Sequence, residues 1–227
     1  MTTLWILSLL LMGVSLWASF AVKGTFARYN RTPIRSGMSG AEAAAAILRA
    51  AGIHDVGIVG VPGMLADHYD PNRRVVGLSQ EVLHGRTPAA VAVAAHEVGH
   101  ALQHAQAYAP MQIRAGLVPI ANFANGLAMP LILLGLITHA TGFLWLGIIG
   151  FSFGVLFHVV TLPVEFDASR RAMQILERSG IVAPDEMPGV RKTLYAAGFT
   201  YLAGALFAIV ELLRLLALAG VFGNSEE

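Results

Sequence analysis

The chain has 227 residues, 56% of them hydrophobic and only 13% charged, with a mean hydropathy of +0.64. That balance excludes an ordinary soluble domain and points to an integral membrane protein. A formal net charge of +1 excludes a nucleic-acid binder, which needs a marked basic excess, and the absence of cysteine excludes disulfides and thiolate metal ligands.

In chain order, residues 3–22 form the first apolar run long enough to span a bilayer, which takes about 20 residues. No basic stretch precedes it, and Lys23, Arg28, Arg31 and Arg35 follow it. This is the pattern of a retained anchor with an external N-terminus, not of a cleaved signal peptide. A polar block, residues 23–114, comes next. Its opening "KGTFARYNRTPIRSGMSG" reads as a connector whose arginines sit at lipid headgroups. Ser39-Gly-Ala-Glu42 reads as a capping box opening a helix through about Arg49, with Gly52 as its C-cap. "VGIVGVPG" and "RRVVGLS" read as short strands, with turn residues Asp70-Pro71-Asn72 between them, giving a small sheet of two or three strands. "RRVVGLS" either offers an edge to an extended substrate or pairs within the sheet. Thr87 and Pro88 occupy favoured N-cap and first-turn positions of a helix over 88–108.

Residues 115–163 read as a hairpin of two spans joined around Thr138-His139-Ala140-Thr141. A second polar segment, 164–195, precedes a fourth span at 196–220. Gly147, Gly150 and Gly154 permit close helix contacts, either within the chain or in a homo-oligomer. Every Lys and Arg except Arg214 falls in the two polar blocks, which four spans place on one side. The positive-inside rule makes that side the cytoplasm, with the protein in the plasma (inner) membrane as a multi-pass chain. Arg214, three residues after Glu211, reads as a local ion pair.

The chemistry is concentrated in "AAHEVGHALQH", residues 94–104. On a helix, His96 and His100 share a face and can present imidazoles to one Zn2+, and Glu97 on the neighbouring flank is placed as general base. HExxH arises by chance in a chain of this composition with a probability of roughly one per cent, so a metal site is the stronger reading. A catalytic zinc usually takes a third protein ligand. His104, His54, His68, His84, His158 and the carboxylates of the second polar block are candidates. Glu165 is the strongest, in "LPVEFDASRRAMQIL", where a helix is expected to start after Pro163. His104 lies on the same stripe but far along the axis, which suits a second-shell or substrate contact. Asp167 is a candidate to orient a histidine. His104, Tyr108, Tyr195 and His158 are candidates to stabilise an oxyanion.

"DHYDP", "AAHEVGHALQH" and "LPVEFDASRRA" together resemble the membrane-bound neutral zinc metallopeptidase family typified by YugP, over about residues 29–216. The resemblance implies a gluzincin-like site in which His96, His100 and Glu165 bind one zinc and Glu97 is the base. It departs from the gluzincin pattern where Ser169 stands four residues after Glu165 in place of Asp. The expected fold is therefore mainly α and integral to the membrane: about four transmembrane helices with a cytoplasmic zincin-like catalytic part, the HExxH helix plus a small β-sheet. The expected partners are the bilayer, a membrane-associated protein or peptide substrate, and a homo-oligomeric or regulatory membrane partner. An intramembrane site-2-type protease fits poorly, because the apolar run before His96 is under ten residues and the chain has no Asp-Gly. A zinc transporter or a zinc-binding scaffold is the rival from another class.

Overall fold

The computed structural model describes residues 2–221. In chain order the elements are helices α1 (Thr2–Tyr29) and α2 (Gly40–Ala50), strands β1 (Gly57–Val61), β2 (His68–Asp70) and β3 (Val75–Ser79), and helices α3 (Gln80–His84), α4 (Pro88–Ala105), α5 (Ala109–Thr138), α6 (Thr141–Ser179) and α7 (Met187–Leu218). Among the described residues, α1, α5, α6 and α7 are long and apolar enough to cross a membrane. At most 28% of each apolar window is buried within the protein, so most of that surface is left for hydrocarbon to cover.

The chain divides into two compact units. One comprises the segment up to Ala18, Gln112–Pro163 and the segment from Thr200. In it Ile132, Leu144, Ile148 and Leu215 form a small core. A Cβ added at Gly147 would lie 2.8 Å from the Ala128 carbonyl oxygen, and one at Gly150 would lie 2.9 Å from that of Ala124. The glycines of α6 therefore serve contact with α5 inside the chain. Glu211 and Arg214 pair at 2.5 Å, and the guanidinium lies 4.1 Å from the ring centre of Trp5.

The other unit, Ser19–Met111 with Val164–Phe199, holds the sheet, α2–α4 and the larger core. Helix α2 opens with the expected capping box: Ser39 Oγ accepts from Glu42 N, and the Glu42 carboxylate accepts from Ser39 N. The chain leaves α2 through Gly52 at φ +70, a left-handed conformation that suits glycine. The sheet order is β1-β3-β2, with β1 parallel and β2 antiparallel to β3.

This arrangement settles one alternative that the sequence leaves open and adds to or corrects other readings. "RRVVGLS" supplies β3, which is paired on both sides, so it cannot offer a free edge; ordinary sheet pairing holds. The stretch expected as a turn contains the short strand β2, and the reversal falls on residues 71–74, where the Asp70 carboxylate accepts from the backbone N–H groups of Asn72 and Arg73. Helix α3 was not expected; five residues are too few for a periodic apolar pattern. Finally, α6 does not restart after Pro163 but runs through it. Proline removes one backbone donor, and a long helix absorbs that loss through its flanking hydrogen bonds.

Candidate metal centre

Helix α4 begins as its sequence dictates. Thr87 Oγ1 accepts from Ala90 N at 3.3 Å and donates to Asn30 Oδ1 at 2.7 Å, and Pro88 fills the first turn, where no backbone donor is needed. Ala89, Ala90, Ala92, Ala94 and Ala95 are buried, so short side chains let neighbouring elements approach closely. The approach is tightest at Gly99, where an added Cβ would sit 2.7 Å from the Ala168 carbonyl oxygen on α6. Backbone contact at this point sets Glu165, one helical turn before Ala168, against the histidine face of α4.

The result is a three-residue donor set. Glu165 Oε2 lies 3.2 Å from His96 Nε2 and 3.6 Å from His100 Nε2, and the ligand atoms of all three lie within 4.8 Å of one another. The two imidazoles stand almost perpendicular, at 84°, with centroids 4.8 Å apart. Each ring's other nitrogen is also engaged: His96 Nδ1 with Ser169 Oγ at 3.1 Å, and His100 Nδ1 with Gln103 Oε1 at 3.0 Å. Two Nε2 atoms and one carboxylate oxygen turned toward a common point match the donor chemistry of a His2Glu zinc site, and fixing the far nitrogens is how such ligands are oriented.

The electrostatics favour a positive charge at that point. Burial pushes the Glu165 carboxyl up, but hydrogen bonds from His100 and His96 outweigh it and hold the group far below the usual carboxylate range. For His100, burial disfavours the charged ring, yet the bond to Glu165 and the charge of Glu97 raise its pKa above the ordinary value. Glu97 is itself 8% exposed, and burial pushes its carboxyl up against the opposing pull of His96 and His100.

Other predicted residues sit as follows. Asp167 reaches no histidine. It accepts from Gln103 Nε2 at 2.9 Å and Arg171 Nε at 2.5 Å, and it pairs with Arg170. His104 stands apart from the donor set, bonded through Nδ1 to the Tyr69 hydroxyl at 2.8 Å beside a cavity of about 320 Å³. Tyr108 lies under the Arg171 guanidinium, 5.6 Å from ring centre to carbon. His54, His68, His84 and His158 are exposed, and none joins the cluster.

A family model described as "Putative neutral zinc metallopeptidase" matches residues 4–220. The chain belongs to the neutral zinc metallopeptidase family. A protein named "Putative membrane protease YugP", from Bacillus subtilis (strain 168), is 47% identical over 208 residues, 92% of each chain. No solved structure matches.

Within this family member, sequence reasoning passed over Gln103, Asp67 and Gly99. Gln103 lies three residues after His100 on the same helical stripe, a spacing that marks it as a neighbour of that histidine. Asp67, whose carboxylate accepts from Ser79 N at 2.7 Å, lies close enough for its charge to act on Glu97, and nothing local in "ADHYDP" signals that proximity.

Proposed function

We propose that the protein is a membrane-embedded zinc endopeptidase that hydrolyses peptide bonds at the cytoplasmic membrane surface. The observation that carries this reading is the convergence of His96 Nε2, His100 Nε2 and Glu165 Oε2 with the buried carboxylate of Glu97 alongside. His96, His100 and Glu165 hold the zinc, which when bound supplies a Lewis acid for the scissile carbonyl and lowers the pKa of water toward ~7.

The protein's own groups do the rest. Glu97 takes a proton from the attacking water at a carboxylate oxygen and delivers it to the leaving amine nitrogen. Burial of Glu97 supports this role, since a desolvated carboxylate is a stronger base than an exposed one. Ser169 and Gln103 steady the two imidazoles. The basic polar blocks around the site support a cytoplasmic orientation in the inner membrane.

The test is made on protein purified in detergent, with bound zinc quantified and cleavage of casein followed. Wild type is expected to hold one zinc per chain and to cut. Glu97→Gln is expected to bind zinc without cutting, and Glu165→Ala to lose the metal. A wild type that holds no zinc overturns the proposal; cleavage retained in Glu97→Gln overturns the role of Glu97.

A further inference from the structure

Gln103 is fully buried, yet the proposed reaction gives it no proton to move and no substrate to touch. Its amide makes three contacts. Nε2 donates to the Val164 carbonyl oxygen at 2.8 Å and to Asp167 Oδ2 at 2.9 Å, and Oε1 faces His100 Nδ1 at 3.0 Å. Val164 O and the Asp167 carboxylate have no proton to give, so the amide has one workable orientation. The opposite one would set Oε1 against two acceptors.

The constraint passes to the histidine. An amide oxygen only accepts, so His100 carries a proton on Nδ1, and Nε2, which faces Glu165 and the donor cluster, is the nitrogen left to give up its proton to a metal. His96 is held differently, because Ser169 Oγ can donate or accept and leaves the tautomer of that ring open. The anchor behind Gln103 is also built in. Arg171 donates through Nε to Asp167 at 2.5 Å and through its terminal nitrogen to Gln106 Oε1 at 2.5 Å. Asp167 therefore stays charged and in place, next to the amide it orients.

We propose that Gln103 is a positioning residue, held by Asp167 and Val164, that locks His100 in the orientation and tautomer needed to bind the metal. This rests on the zinc reading above and goes beyond it, by placing an amide between the carboxylate and the ligand ring and by making His100 the more rigidly held of the two histidines.

Zinc dissociation constants of the full-length protein, measured by competition with a chelating indicator, test it. The variants are Gln103→Met, Gln103→Glu, Asp167→Asn and the double variant Gln103→Glu/Asp167→Asn, each paired with the unfolding temperature of the metal-free protein. Gln103→Met is expected to weaken zinc by about 10- to 100-fold. Gln103→Glu sets two carboxylates against each other and is expected to weaken zinc similarly. In the double variant the amide introduced at position 167 donates to the carboxylate introduced at position 103, whose other oxygen accepts from His100, and affinity is expected to recover part of that loss, because the carboxylate still faces the Val164 carbonyl oxygen. A purely structural role would lower the metal-free unfolding temperature without changing zinc affinity, and that result overturns the inference. So does a double variant no better than Gln103→Glu, which remains decisive if Gln103→Met fails to fold. A wild type without zinc refutes the function itself, whereas a zinc-binding wild type matched by all variants refutes only the role of Gln103.

Discussion

Replacing Gly99 by alanine tests whether backbone contact between α4 and α6 sets the position of Glu165, the proposed third ligand. The new Cβ would lie 2.7 Å from the Ala168 carbonyl oxygen and 3.2 Å from its carbonyl carbon and Cα, all backbone atoms that cannot rotate away. Reaching ordinary contact at 3.4 Å requires a displacement of about 0.7 Å. Metal–ligand distances tolerate about 0.2 Å, so a displacement of that size carries Glu165 out of register with the histidines. Zinc affinity is expected to fall by about tenfold or more, in the range seen when ligand placement is disturbed. Stability responds less. Overpacking costs about 1–3 kcal/mol, and the better helix propensity of alanine returns about 1 kcal/mol, leaving a net loss of about 0–2 kcal/mol in the metal-free protein. The assay is the same indicator competition, with Gly116→Ala as control, because a Cβ there meets nothing within 4 Å. A Gly99→Ala protein that binds zinc as tightly as the Gly116→Ala control would refute the argument that this contact positions Glu165.

Two further outcomes concern stability. Burial raises the pKa of Asp67 above its ordinary 3.8, more than its hydrogen bonds from Ser79 lower it. A folded-state pKa raised in this way means that ionisation opposes folding, so its stability deficit grows as pH rises through the folded value. Asp67→Asn is therefore expected to unfold at an equal or higher temperature than wild type at pH 7, with the difference shrinking below about pH 4 as both side chains become neutral; a deficit at pH 7 that persists in acid contradicts this. In the apolar unit, Arg214→Ala removes the cationic partner of the part-buried Glu211 and is expected to cost about 1–3 kcal/mol, while replacing both residues by leucine recovers most of the loss. Thermal unfolding in detergent distinguishes the two, and equal destabilisation by the single and double variants would speak against the pairing.

Much of the fold was legible because it is written locally. Four apolar runs, the Ser39 capping box and the Thr87-Pro88 helix start each depend on residues a few positions apart; the two caps form as those residues dictate, and each apolar run lies within a longer helix. Half of the candidate metal centre was legible for the same reason, since His96 and His100 share a face through helical periodicity alone. Glu165 emerged as the strongest of several candidates from its place beside an apolar run and was specified only by resemblance. What could not be read was the contact geometry between distant segments. That Gly99 admits the Ala168 backbone, that Gln103 rather than Asp167 meets His100, and that β3 is a central strand all depend on elements brought together by the fold. Proline misled in the other direction: a local rule for ending helices gave way in α6 to the length of the helix on either side.

The donor set is also divided in time. His96 and Glu165 are 69 positions apart, and the segment between them includes the whole of α5. At a synthesis rate of about 5–20 residues per second, α4 emerges from the ribosome roughly 3 to 14 s before Glu165. During that interval the chain carries the two imidazoles and the Glu97 carboxylate but not the full donor set. Under the proposed function, peptidase activity is thus withheld from the unfinished chain, and metal loading follows the arrival of α6.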